Sequence, residues 1–163
     1  MDDKIFQQAK TELRQFGDSQ VPMIGYCEPE LLGLSERHCE TRIGLTPKTQ
    51  NHVSCLYFGV LAVGADITGG FLAIWLNKQS DHYVELLFKD FKADFKKRAL
   101  ADTHFRCSDG ELIRLMMAET IKTGERVNKA IHVVATTPTV CDGVVAEFQL
   151  TLALKYKPNA CLK

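Results

Sequence analysis

What the chain lacks narrows its chemistry first. Its six cysteines, Cys27, Cys39, Cys55, Cys107, Cys141 and Cys161, include no C-x-x-C pair, which argues against the close-spaced ligand pairs of a structural zinc site. There is no phosphate-binding glycine loop, no nucleophile elbow and no dinucleotide fingerprint. Net charge is also missing: twenty basic and twenty acidic residues cancel, so no global field draws the protein to nucleic acid or to an anionic membrane. Affinity for a charged ligand must be local. No internal repeat, low-complexity run or linker interrupts the 163 residues, so 1–163 reads as one domain that buries roughly 70% of its unfolded surface. No charged-then-apolar leader opens the chain, and the cysteines are read as reduced thiols of a cytoplasmic protein.

What is there is one very apolar segment, CLYFGVLAVGADITGGFLAIWL, residues 55–76, with a single charge, Asp66, in its middle. Its length suits a membrane span. Its composition does not, because a central aspartate costs about 2.5 to 3.5 kcal/mol on an insertion scale and no Lys or Arg cluster flanks either end. A helix buried inside a protein is apolar all round for the same reason. We therefore expect a buried helix over about 56–78, with Ala62, Ala65, Gly69 and Ala73 forming a thin stripe that lets another element pack close.

Around that helix the patterns alternate between two periods. Ile5, Phe6, Ala9, Leu13 and Phe16 predict an N-terminal helix over about 2–16, with Gly17 as its C-cap. Pro22, Pro29, Gly33 and Pro47 punctuate a stretch with two short strands, around ELLGLS and HCETRIGL. HYVELLFKDFKADFKKRA reads as extended, with Phe91, Ala93 and Phe95 alternating against Lys92, Asp94 and Lys96, and LADTHFRC follows as another strand. Ser108 and Glu111 form a capping-box pattern for a helix that runs to Gly124. Two strands close the chain, the last with Val144, Ala146, Phe148, Leu150, Leu152, Leu154 and Tyr156 on one face. Six antiparallel strands leave a face that needs cover, and the long helix is the element apolar enough to supply it. The expected class is α+β, a six-stranded sheet wrapped around a central helix in the manner of a hot-dog fold.

The segment NHVSCLYFGVLAVGAD, residues 51–66, resembles a motif of the hot-dog acyl-CoA thioesterases, in particular the phenylacetyl-CoA thioesterase-like branch. That motif reads Asn, five residues, His-Gly-Gly, six residues, Asp. Asn51 falls on the Asn, Gly59 on the second Gly and Asp66 on the Asp, while Tyr57 replaces the His and Phe58 the first Gly. DFKKRA, residues 94–99, resembles the family's strand ending in an aromatic, a basic residue and then Pro or Ala. A thioesterase-like branch with Y-F-G in place of H-G-G is similar from about residue 20 to residue 155.

The resemblance implies a thioester hydrolase in which Asp66 is general base or nucleophile and backbone amides at the helix start polarise the carbonyl. Chemistry supports both roles, since helix N-termini present unpaired N–H groups and an apolar wall raises a carboxyl pKa. Phe58 and Gly59 would donate, and Asn51 and Tyr57 would position thioester or water. Eight residues separate Phe58 from Asp66, about 12 Å at 1.5 Å per residue. One copy cannot bring both to one carbonyl, so the spacing predicts a homodimer with antiparallel helices; a dimer of dimers stays open. Lys96, Lys97 and Arg98 are candidates for the phosphates of coenzyme A, or a solvated strand end. Coenzyme A would be part of the substrate, and no metal or redox cofactor is implied. Phe71 and Trp75 are candidates for the pocket floor. Several plainer readings stand beside these. Asn51 can simply form the turn before the helix, Tyr57 can be an interfacial core residue, and His52 can be a solvated loop histidine. The alternative for the whole chain is a hot-dog module that binds an acyl thioester or fatty acid without turnover.

Overall fold

The computed structural model describes residues 2–158, apart from the side chains of Cys141 and Asp142; Cys161 lies outside the described residues. The elements run α1 (Asp3–Ser19), α2 (Pro22–Cys27), β1 (Glu30–Leu34), β2 (Cys39–Ile43), α3 (Phe58–Lys78), β3 (Val84–Phe95), β4 (Thr103–Cys107), α4 (Gly110–Thr123), β5 (Val127–Thr137) and β6 (Cys141–Tyr156). All six strands join one antiparallel sheet in the order β1-β2-β4-β5-β6-β3. The sheet curls around α3, which packs against β2, β4 and β5. The expected hot-dog arrangement is therefore the observed one.

The inward face of the sheet follows the period-two pattern of its strands. Cys39, Thr41 and Ile43 of β2, Thr103, Phe105 and Cys107 of β4, and Ile131, Val133 and Ala135 of β5 are all buried. On α3 they meet Ile67, Phe71 and Leu72, each almost wholly out of water and each contributing about 1.5–3 kcal/mol. Two glycines let helix and sheet approach. A methyl group at Gly64 would run into the ring of Phe105, and one at Gly69 would lie 2.8 Å from Ile131 Cδ1. A polar clasp fixes the register: Thr41 and Thr68 hydroxyls lie 2.7 Å apart, and Thr68 donates to the Gly64 carbonyl at 2.6 Å. α3 is long and apolar enough to cross a membrane, but most of it is buried inside the protein.

Four local expectations need correction. Gly17 does not end α1, which runs on to Ser19; Gly17 is buried there because α2 crosses on it, and a Cβ at Gly17 would sit 2.8 Å from the Gly25 nitrogen. α2 itself was unexpected, a six-residue helix with Pro22 in its first turn. The Ser108 capping box does not form. Asp109 is the N-cap of α4, without a side-chain cap bond, and its Oδ2 accepts from the His132 amide at 2.7 Å instead. Gly124 does cap the far end, at φ 70°, a conformation glycine adopts without strain. Finally, the alternation of β6 breaks at Val145, which is buried although its neighbour Ala146 is too. The pairing explains it: Ala135 faces Ala146 while Thr136 faces Val144, leaving Val145 as an extra, unpaired residue, a bulge.

The two edges of the sheet differ. β1 has five residues and α1 packs against it, whereas β3 has twelve and, among the described residues, pairs with β6 alone. Beyond Phe88 every residue of β3 is exposed.

Candidate active site

The first turn of α3 is held at two points. The Tyr57 amide donates to the Thr49 carbonyl at 2.9 Å and the Leu56 amide to the Ala99 carbonyl at 2.9 Å. Tyr57 is the N-cap residue, and the first helical bond runs from the Leu61 amide to its carbonyl at 3.0 Å. Helix geometry therefore leaves the amides of Phe58, Gly59 and Val60 without an intrahelical acceptor, and the Tyr57 side chain does not cap them. α3 begins at Phe58, two residues later than expected, which places both candidate donors in its first turn.

Asp66 lies two turns further on. It is half-buried, and so are Gly59, Ala62 and Val63 behind it. Offsets of seven, four and three residues put those three on the face of Asp66, so a half-open stripe leads from the carboxyl group back to the free amides. Asp66 has no hydrogen-bond or ion-pair partner among the described residues, and burial alone pushes its pKa above the ordinary aspartate value. Such a carboxylate suits a general base. Along one helix it remains about 12 Å from Phe58.

Asn51 is used by the turn before the helix. Its Oδ1 accepts from the Val53 amide at 3.0 Å and the Cys55 amide at 3.3 Å, its own amide donates to the Cys55 carbonyl at 2.8 Å, and its Nδ2 lies 3.2 Å from Cys55 Sγ. Ser54 takes φ 56° inside this turn. The plainer of the two readings of Asn51, turn formation, is thus what its side chain visibly does.

The basic run reaches the same place by a route the sequence did not reveal. The bulge turns the Val145 carbonyl toward the end of β3, where it accepts the Lys96 amide at 2.8 Å and the Lys97 amide at 3.1 Å. Three residues later Ala99 holds Leu56. Residues 96–98 therefore lie beside the start of α3, outside the strand, which ends at Phe95. Within the run the charges are not equivalent. Asp94 and Glu147 face each other across β3 and β6, and Lys96 bonds both, at 3.0 and 3.1 Å. These bonds, first that to Asp94, raise its pKa. Lys96 is thus committed to two carboxylates.

A cluster of rings went unrecognised in the sequence as a cluster. Tyr57 and Phe58 have centroids 4.8 Å apart, Phe58 and Phe95 6.4 Å, Phe95 and Phe148 6.1 Å, and Phe148 and Phe91 5.7 Å. Of the five only Phe148 is buried; Tyr57, Phe58, Phe91 and Phe95 are 41–60% exposed. The alternation of Phe91 and Phe95 was legible, but not that their face would be bare. Phe71 is buried in the core and Trp75 half-buried. Two surface grooves of about 370 and 420 Å³ lie between α1, α2 and β1, and neither is lined by Asp66 or the start of α3. Among the described residues no three His, Cys, Asp or Glu side chains converge as metal ligands.

The backbone is similar to several solved structures. A Pseudomonas aeruginosa protein of unknown function, named a probable thioesterase, aligns over 90% of this chain and 95% of its own with a TM-score of 0.74 at 18% identity. A thioesterase of Haemophilus influenzae aligns over 90% of each chain with a TM-score of 0.68 at 14% identity. This chain has the hot-dog fold. A Chlorobaculum tepidum protein of unknown function shares that fold too, with a TM-score of 0.78 at 11% identity over 93% of this chain and 96% of its own. The sequence matches no family model and no curated protein. Of these three neighbours, those from Pseudomonas aeruginosa and Haemophilus influenzae carry thioesterase names.

Proposed function

We propose that the protein hydrolyses an acyl thioester of coenzyme A as a cytoplasmic homodimer, with each site shared between subunits. The observation that carries this reading is Asp66: a half-buried carboxyl group without a partner among the described residues, on a stripe that ends at helix amides without an intrahelical acceptor. In the proposed reaction Asp66 takes a proton from water, and the oxygen attacks the thioester carbonyl. The Phe58 and Gly59 amides of the other subunit bind the oxyanion. Collapse expels the thiolate, which recovers the proton from Asp66, giving a carboxylic acid and a thiol. Asn51 and Tyr57 border the carbonyl, and Lys97 and Arg98 lie where the coenzyme A phosphates would leave the site.

The bare edge of β3 supports the dimer. A twelve-residue strand with one row of backbone groups unpaired among the described residues, and with exposed Phe91 and Phe95, is a template for a second strand, and a second copy supplies one symmetrically. Cys27, Cys39, Cys55 and Cys107 are unpaired, which fits a reducing compartment. The thioesterase names of structural neighbours support a thioester as the substrate class.

The test is thiol release from a panel of short, medium, long and aryl acyl-CoA esters by wild type and by Asp66→Asn. Turnover is expected to fall at least about a hundredfold in the variant, about 2.7 kcal/mol of barrier. A folded Asp66→Asn protein as active as wild type overturns the mechanism. One observation favours the second reading, a binding module without turnover: the Tyr57 ring folds over Gly59 at the start of the helix. Wild-type protein that binds an acyl-CoA without cleaving it would select that reading.

A further inference from the structure

We infer that Tyr57, seated on Gly59, is a wall that sets how bulky an acyl group the site accepts; the inference rests on the thioester reading above. Tyr57 is extended, at φ −63° and ψ 139°, and its side chain makes no cap bond. Its ring instead folds back over the first turn of α3. A Cβ built on Gly59 would lie 2.5 Å from Tyr57 Cε1, 3.1 Å from Cδ1 and 3.3 Å from Cζ. No side chain fits there while the ring stays. Glycine is a poor helix former and alanine the best, so local propensity does not account for Gly59, whereas the ring does.

The location gives this contact a consequence. Gly59 stands on the face of Asp66, two turns back, so the Tyr57 ring covers the end of the half-open stripe nearest the free amides. The ring is 45% exposed, and its hydroxyl has no partner among the described residues. On its other side stands Phe58, tilted at 60°, and beyond that Phe95. An acyl group whose carbonyl reaches the amides must lie against this ring. A methyl group at position 59 pushes the ring outward into that space, and removal of the ring enlarges it.

The experiment compares wild type, Gly59→Ala, Tyr57→Ala, Tyr57→Phe and the double variant Gly59→Ala/Tyr57→Ala. For each, kcat/KM is measured over acyl-CoA esters of increasing bulk at the acyl α-carbon, beside calorimetric binding of the matching non-hydrolysable thioethers. The expected result is a preference for bulky over small acyl groups that rises tenfold or more in Tyr57→Ala, falls tenfold or more in Gly59→Ala, and stays at the wild-type ratio in Tyr57→Phe. The double variant should follow Tyr57→Ala, and Gly59→Ala should melt no lower than wild type. An unchanged ratio in Tyr57→Ala, or a Gly59→Ala defect that persists undiminished in the double variant, overturns the wall. Wild-type protein that neither binds nor cleaves any member of the series overturns the thioester reading itself.

Discussion

The two sides of α3 are built on opposite terms. Toward the sheet, Gly64, Ile67, Thr68, Phe71 and Leu72 leave almost no water contact, and Phe105 and Ile131 fill the glycine notches. Away from it, Phe58, Gly59, Ala62, Val63 and Asp66 stay open, with amides at one end and a carboxyl group at the other that are unpaired among the described residues. On the first side no buried side-chain nitrogen or oxygen among the described residues lacks a hydrogen-bond partner, as the Thr41–Thr68 clasp illustrates. The second keeps groups that have no hydrogen-bond partner among the described residues. The same helix thus separates the residues that hold the fold from those left open, and each set can be disturbed without the other.

The largest effect is expected on the packed side. Phe105→Ala should cost about 3–5 kcal/mol of folding stability, measured by denaturant unfolding. Gly64→Ala should be much less damaging in that background than in wild type, because the two share one space. Additive costs would mean that the glycine notch does not serve Phe105.

The open side should respond in the other direction. Because burial raises the folded-state pKa of Asp66, the folded protein binds that proton more tightly than the unfolded chain. The associated stability is full below the ordinary aspartate value of about 3.9 and is lost as pH rises through the folded value. Asp66→Asn should therefore be as stable as wild type or more so at pH 7, with the difference vanishing below about pH 4 in thermal melts. Wild-type turnover should fall as pH drops through the raised value, since the base must be ionised. A variant less stable than wild type at neutral pH would make Asp66 a structural residue. The smallest effect sharpens the edge of the site: Arg98→Ala should raise KM for an acyl-CoA several-fold, less at high salt, with kcat unchanged.

The packed side was largely legible in sequence and the open side only in part. Apolar runs and period-two alternation report burial directly, and they placed α3, the six strands and Asp66. What they could not report is contact between distant positions. Gly17 looked like a helix end because its reason for being glycine is Gly25 on the next element. Lys96 looked free because its second carboxylate, Glu147, lies on β6. The Val145 bulge, which carries the basic run to the helix start, leaves no mark in β6 beyond one valine on the wrong face. Ser108 matched the capping box, but Asp109 next to it took the cap position. Phe91 and Phe95 fitted a strand, and only the sheet order put that strand at a bare edge.

The central claim is that one site draws Asp66 from one subunit and the helix start from the other. Phe58→Pro removes an amide donor at a position where proline suits a helix, and Tyr57 already has the extended conformation that a following proline requires. Alone, Phe58→Pro and Asp66→Asn should each lose at least about a hundredfold in turnover. Co-refolded in equal amounts, half of the dimers are mixed and each mixed dimer holds one intact site, so the account predicts about a quarter of the wild-type rate. A mixture no more active than either variant alone would contradict it.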